Sequence, residues 1–413
     1  MPTGRWFRIS GNHPDLGLPA TAPGTRYLED NDPAKDATLN PAKGPREILR
    51  RMLGRRPRSP WHGRAGFSAI TEAWNGAAYA PGFGASGAMI VFGGGHDDYF
   101  GSDVHAFDLR SREWSRISDG YVSGDPGDYG AGAVYPGAAY PDGSPLPPHT
   151  YGYVQYDAIG NDYLLLKGQL ELGPQVKAAP IPHLFNLDSL RWRTGPKHPS
   201  AVLASGGCSA WDASRRILWG HSGDDGDTFT GFRPDGDNRD GTFGSWGARY
   251  PGKFPGTASH NTMRIDTPRD IIVTAVHASN RLYGIDPAMP DRAAALLASS
   301  GEQPILAACA ALEYAPSLDC LAYYSAADGP RIYAINAPAG STWGELTSGP
   351  WRWSCLLDDG NTLDPVADAQ ERSSHAVNRQ HTFGRFRVAA YATTDIALLV
   401  RHVDTPVYAM RLN

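Results

Sequence analysis

The chain alternates short apolar runs with turns, and one pattern of strands recurs along most of its length. In residues 74–114, a strand with an aromatic residue near its end precedes a turn and the apolar run AMIVF. Three glycines, the strand DVHAFDL and a tryptophan complete the segment. A continuous apolar run is typical of a strand that is buried on both faces. The pattern therefore predicts a four-stranded unit with tight turns.

The same order of strands returns five more times. The later copies occupy residues 149–192, 206–220, 259–286, 307–353 and 381–413. Repeated four-stranded units predict the blades of a β-propeller. The third copy departs most from the pattern, because the polar stretch DTFTGFRPDGDNRDGTFGSW stands where its third strand is expected. We predict an all-β fold, a propeller of six four-stranded blades, with seven blades as the alternative.

The two ends of the sequence complement each other. The sixth copy stops after its third strand, whereas residues 4–10, GRWFRIS, look like a single strand with a tryptophan. We predict that this strand pairs with residues 405–412, because closing the ring removes the free edges of an open sheet. The expected organisation is a closing strand in residues 1–10, an extended arm with a short helix in residues 11–63, and the propeller in residues 64–413.

Composition supports an all-β chain with a large core. The sequence has 413 residues with 48 glycines and 34 prolines spread throughout, and both residue types destabilise helices. Aromatic residues make up 10% of the chain, which is enough to fill a core and argues against disorder.

The order of FGGG, DVHAFDL and tryptophan in the first copy resembles the kelch repeats of the galactose-oxidase-like propeller superfamily. The segment from AWNG to DVHAFDL is also similar to uncharacterised kelch-like proteins of bacteria and tailed phages. The resemblance implies a propeller that binds sugars, proteins or, in some members, metals. Because one fold serves many functions, the site has to be argued from its residues.

Charge and hydropathy narrow the expected partners. The chain has 38 basic and 43 acidic residues, so we expect no nucleic-acid partner. It has no apolar stretch of about 18 residues, so we expect no membrane span. The first residues lack the apolar core of a signal peptide, which predicts a cytoplasmic or virion-associated protein.

Residues 43–64 are basic, and we read them as a solvated strap or as a docking arm for a particle or protein partner.

Histidines recur at two positions of the repeat. His149, His260 and His381 stand at the starts of first strands. Four others stand at the ends of second strands: His96, His221, His277 and His402. Both positions open on the same face of a propeller near its axis, so these side chains predict a polar site at the axial mouth. Histidine suits such a site because it titrates near neutrality and both donates and accepts hydrogen bonds.

Arginines and aromatic residues fall beside the same mouth. Arg264, Arg385 and Arg387 follow first-strand starts and carry fork-shaped donors suited to a carboxylate. The candidate ligand-binding residues are Trp74, Asn75, His96, Asp97, Tyr99, His149, Tyr151, His221, His260, Asn261, His277, His381, Arg385 and His402. For each single histidine or aromatic residue, packing between blades is the alternative role.

An enzyme would use a smaller set of these residues. His96 and Tyr99 follow three glycines, whose backbone allows close approach to a ligand. With Arg264 across the axis, they would provide a base, a proton donor and a partner for a carboxylate. Elimination from a uronic acid needs these three parts. The candidate catalytic residues are therefore His96, Tyr99 and Arg264.

Two acidic stretches are the candidates for a cation site. Oxygen ligands for calcium are concentrated in them: Asp225, Asp227, Asp235, Asp237 and Asp240. The second stretch resembles part of a calcium loop but lacks the closing glutamate. We therefore expect solvated loops and no cofactor, with calcium as the alternative.

Three functions remain open from the sequence. The favoured one is a non-catalytic propeller that binds a glycan or a surface receptor, for instance as part of a phage tail or virion. The second is a polysaccharide lyase or glycoside hydrolase acting on an acidic polysaccharide. The third is an intracellular kelch scaffold for protein interactions.

Overall fold

The computed structural model is a six-bladed β-propeller in which each blade contains a four-stranded antiparallel unit. It describes residues 1–9, 70–71, 74–94, 102–118, 139–140, 142–167, 180–201, 203–223, 228–251, 259–357, 362–372, 382–401 and 406–413. The predicted arm, including the basic residues 43–64, lies outside these ranges. Six blades agree with the count from the sequence repeats.

The first three blades follow each other directly along the chain. Blade one has β2 (Ala77–Ala80), β3 (Ala88–Val91), β4 (Val104–Asp108) and β5 (Glu113–Ser118). Blade two has β6 (Val154–Asp157), β7 (Asp162–Leu165), β8 (His183–Asn186) and β9 (Arg191–Thr194). Blade three has β10 (Cys208–Asp212), β11 (Ile217–His221), β12 (Thr228–Asp237) and β13 (Phe243–Pro251).

The last three blades include one added strand and the closing strand. Blade four has β14 (Thr262–Asp266), β15 (Ile271–Val276), β16 (Arg281–Ile285) and β17 (Ala295–Leu297). Blade five has β19 (Ala311–Ala315), β20 (Cys320–Tyr324), β21 (Ile332–Asn336) and β22 (Trp351–Cys355), and β18 (Ser299–Gly301) pairs with β22 in parallel. Blade six has β23 (Phe386–Tyr391), β24 (Thr394–Val400), β25 (Val407–Arg411) and β1 (Trp6–Arg8).

Within the described residues, helical structure is limited to short segments. Two α-helices have both ends described, α1 (Trp343–Ser348) and α2 (Pro365–Arg372), and residues 70 and 71 are also helical. No helix in this part of the chain is long and apolar enough to cross a membrane.

The third strand of blade three is a correction to the sequence expectation. The polar stretch forms one long hairpin of β12 and β13, whose register shifts at two bulges. At the turn, Asn238 donates to Thr242 twice, from its backbone amide to the carbonyl and from its side-chain amide to the hydroxyl, and Gly241 adopts a φ of 83°. The polar residues lie at an exposed hairpin tip, where solvated side chains cost nothing, so they do not interrupt the buried part of the strand.

Neighbouring blades are joined by ion pairs at the turns between first and second strands. Arg215 of blade three reaches Asp270 of blade four through two hydrogen bonds of 2.6 and 2.5 Å. Arg269 of blade four repeats this contact with Asp319 of blade five at 2.8 and 2.6 Å. Paired bonds of this kind fix the geometry of both partners. They hold the turns together on the face where the first strands end.

The ring closes as the sequence predicts. Trp6 pairs with Met410 and Arg8 with Tyr408, so the first strand of the chain becomes the outer strand of blade six. Trp6 is 3% exposed, and its indole nitrogen donates to the carbonyl of Pro330 at 2.7 Å. The strand therefore contributes a backbone ladder and a buried aromatic side chain to the join between the two ends.

Trp6→Ala should lower the free energy of unfolding by about 3–5 kcal/mol, because a large side chain leaves the core and a cavity remains. Phe7→Ala is the matched control, since Phe7 lies on the other face of the same strand and is only half-buried. Urea denaturation of both variants measures the difference. Equal losses for the two variants would contradict the closing role of Trp6.

Candidate functional site

The first strands approach the propeller axis through residues with left-handed backbone. Tyr151, His260, Cys309 and Phe383 have φ values of 44°, 67°, 59° and 47°, and Gly206 has 72°. Each of these residues lies just before the first strand of a different blade, from blade two to blade six. A non-glycine residue at positive φ is uncommon, so its repetition at one position marks a shared constraint.

That constraint is a set of backbone hydrogen bonds between neighbouring blades. The amide of Tyr151 donates to the carbonyl of Trp74 at 2.7 Å. The amide of His260 donates to Gly206, the amide of Cys309 to His260 at 2.8 Å, and the amide of Phe383 to Cys309 at 3.0 Å. The left-handed turn aims each amide at the preceding blade. This end of the axis is therefore lined with paired backbone.

Aromatic rings fill the space above this backbone. Tyr151 has edge contacts with His149, His260 and Phe383 at centroid distances of 5.8, 5.6 and 6.0 Å. Trp74 packs on His149 at 4.7 Å. A cavity between these rings and the first strands has a volume of about 20 Å³, which is room for about one water molecule. The predicted histidines His149 and His260 do come together, but around a packed tyrosine.

The other described candidates at this end are tied to their neighbours. His277 bonds through Nδ1 to the side-chain oxygen of Asn261 at 3.2 Å, and burial lowers the pKa of His277. His221 is 1% exposed within β11. Asn75 is fully buried, donates to the carbonyl of Ile70 and accepts from the amide of Thr150 at 2.7 Å. These contacts give His277, Asn261 and Asn75 structural roles between strands.

Several predicted residues lie outside the described ranges. They are His96, Asp97, Tyr99, His381 and His402, together with the calcium candidates Asp225 and Asp227.

Arg385, a predicted ligand-binding residue, is buried against backbone carbonyls. Its guanidinium is 3% exposed and donates to the backbone carbonyls of Asn75, Val400 and Arg401. Burial, with Arg401 close by, lowers the pKa of Arg385 to about 9. The carbonyls take the donors that a ligand carboxylate would need, so Arg385 fastens blade six to blade one.

The described aspartates of the acidic stretch in blade three have protein partners. Asp235 and Asp237 pair with Arg216 and Arg193, and Asp240 accepts from the amide and hydroxyl of Thr242 at 3.0 and 2.6 Å. Within the residues that the structure describes, no group of three or more histidine, cysteine, aspartate or glutamate side chains is arranged to hold a metal ion.

A layer of four polar side chains crosses the axis farther along the first strands. Glu313 of blade five receives Arg387 of blade six on Oε1 and Arg264 of blade four on Oε2, the latter at 3.0 Å. Arg264 also donates to Oε1 of Gln155 in blade two at 2.5 Å. Gln155, Glu313 and Arg387 are at most 5% exposed. The layer connects four blades through side chains alone.

The layer separates two spaces along the axis. Gln155, Glu313 and Arg387 line both the small space described above and a larger cavity on the opposite side. That cavity has a volume of about 280 Å³ and opens on the face where the first strands end. The sequence placed Arg264 at the mouth with the histidines, whereas the structure places it in this cavity.

Aromatic side chains form the walls of the cavity. Tyr79, Tyr156, Trp211 and Tyr314 come from blades one, two, three and five. The hydroxyl of Tyr156 donates to Asn161 at 2.8 Å, and that of Tyr314 to Asp319 at 2.8 Å. Burial raises the pKa of each of the three tyrosines. The tyrosines are thus neutral and poorly suited as bases, and their rings are held in place.

A signal in the repeat marks this cavity and could have revealed it. The first strands end in the tripeptides AYA, QYD, AWD, RID and EYA, in blades one to five. The first position supplies Gln155, Arg264 and Glu313 to the polar layer, and the middle position supplies the cavity walls. Alternation along a strand explains the first position, because every second side chain of an innermost strand points to the axis.

No family model matches the sequence, and no curated protein matches it. A similar solved structure is a structural-genomics protein of unknown function from Bacteroides thetaiotaomicron, with a TM-score of 0.44 and 8% identity. The match covers 83% of this chain and 74% of that one.

Glu313→Ala should destabilise the propeller by about 3–5 kcal/mol, because it leaves the buried Arg387 and the partly buried Arg264 without their shared carboxylate. Asp237→Asn is the control, since Asp237 is 82% exposed in its pair with Arg193 and exposed pairs contribute little. Chemical denaturation measures both variants. A Glu313→Ala protein as stable as the control would contradict the role of the layer.

Proposed function

We propose that the protein is a non-catalytic recognition propeller that binds a glycan unit in the cavity where the first strands end. The observation that carries this proposal is that aromatic walls and a charged base meet in one cavity. Aromatic rings from four blades surround the opening, and the Arg264 guanidinium lies at the base. Fixed aromatic rings provide contact area with little loss of side-chain entropy.

The volume fits a compact ligand. A cavity of about 280 Å³ lies at the lower end of the range for small-molecule sites. One sugar ring is a suitable occupant, with the rest of a glycan or surface receptor extending outward. Kelch-like ancestry and a place in a phage tail or virion belong to this proposal, and the basic residues 43–64 would then attach the propeller to its particle.

Binding to immobilised glycans tests the proposal when an aromatic side chain of the cavity wall is substituted. Tyr314→Ala should weaken retention by about 2 kcal/mol or more, because truncating a central aromatic contact typically costs that much. Tyr314→Phe keeps the ring and should retain binding. Glycan-array screening followed by surface plasmon resonance provides the measurement.

His260→Gln addresses the opposite end of the axis in the same assay. We expect it to leave binding unchanged, because His260 is packed against Tyr151 and Phe383 away from the cavity. Loss of binding in His260→Gln, with Tyr314→Ala unaffected, would place the site at the other end. Ultraviolet absorbance that rises with a uronate polysaccharide would show elimination, and would contradict a non-catalytic function.

A further inference from the structure

The cavity carries a positive charge that the protein only partly compensates. Its charged lining residues, within the described part of the chain, are Arg264, Arg387 and Glu313. Two guanidinium groups and one carboxylate leave a formal charge of +1. A buried charge without a full partner is unfavourable, because water no longer solvates it and the protein offers too little in return.

The excess charge resides on Arg264. Arg387 is 5% exposed and donates from Nε to the carbonyl of Ala77, from Nη1 to Glu313 and from Nη2 to the carbonyl of Val154. All three of its nitrogens therefore have protein acceptors. The Arg264 side chain is 25% exposed and makes single contacts from its two terminal nitrogens.

The geometry of Arg264 favours an anion from the cavity side. A guanidinium has five N–H donors, and within the described residues Arg264 uses two, to Gln155 and Glu313. The side-chain amide nitrogen of Gln155 donates to the carbonyl of Ser209 at 2.8 Å. This bond fixes the position of the Gln155 oxygen that Arg264 contacts. The guanidinium is thus oriented in advance, with donors left for a planar acceptor.

We infer that the ligand of this cavity is an acidic sugar, and that its carboxylate binds to Arg264 while its ring lies against the aromatic walls. This inference rests on the proposed recognition function and names the ligand class. A carboxylate matches the fork of a guanidinium and neutralises the excess charge. The closed base and small volume favour one ring over an extended acidic peptide, which needs a groove.

Paired glycosides that differ only at C6 test the inference. Methyl β-D-glucuronide is compared with methyl β-D-glucoside, and the matching galacturonide with the galactoside, by isothermal titration. We expect at least one acidic glycoside to bind at least about tenfold more tightly than its neutral partner, because a hydrogen bond to a charged group is stronger than a neutral one. Added salt should reduce this preference.

Variants of Arg264 test whether this arginine causes the preference for acidic glycosides. Arg264→Gln should abolish it, and Arg264→Lys should retain part of it through the charge. Arg331→Gln, which removes an exposed arginine outside the cavity, is the control and should bind like the parent protein. Thermal melting of each variant establishes that the protein titrated is folded.

The outcomes separate this inference from the function on which it rests. Equal binding of acidic and neutral glycosides, unchanged by Arg264→Gln, would overturn the acidic ligand and leave glycan recognition in place. Tighter binding of a triglutamate peptide than of either acidic glycoside would overturn the sugar assignment. No binding to any glycoside, together with an empty glycan array, would overturn both.

Discussion

The structure depends on how six first strands meet at one axis. Backbone amides join neighbouring blades at one end, and Glu313 joins two arginines farther along. The buried charges of Glu313 and Arg387 are stable only when they keep their partners, because both side chains have left water. The layer therefore limits the movement of the four blades that contribute its side chains. It also fixes the base of the cavity beside it.

This arrangement explains why the two ends of the axis differ. At the starts of the first strands, left-handed residues bring backbone and aromatic rings inward, and about 20 Å³ remains. At the ends of the strands, the turns diverge and about 280 Å³ is open. Ion pairs such as Arg269 with Asp319 hold those turns, so the cavity walls are supported from outside. The same sheets thus produce a closed end and an open one.

The fold could be predicted from sequence because its signals are local and repeated. Apolar second strands, closing tryptophans and the unpaired Trp6 strand were enough to give six blades and their closure. The candidate site could not be placed in the same way. His149 lies two residues before the left-handed Tyr151 of its blade, and Arg264 lies four residues after the left-handed His260 of its own. A few positions along the chain therefore separate a packed end from an open cavity. Only the ring geometry shows which side chains share a space.

Polar side chains at the axis occupy first-strand positions that break the apolar pattern. Gln155, Arg264 and Glu313 occupy one position in three blades, where blades one and three have alanine. Arg264 links Gln155 to Glu313 within the layer, and its side chain is also 25% exposed beside the cavity. Arg385 is the contrasting case, since its donors are spent on backbone carbonyls.

The most direct test of the account is a crystal structure of the protein soaked with the acidic glycoside that binds most tightly in solution. The account predicts density for one sugar ring among Tyr156, Trp211 and Tyr314, with the carboxylate within hydrogen-bond distance of Arg264. Density at the opposite end of the axis, beside His149 and His260, or a carboxylate turned away from Arg264, would contradict it.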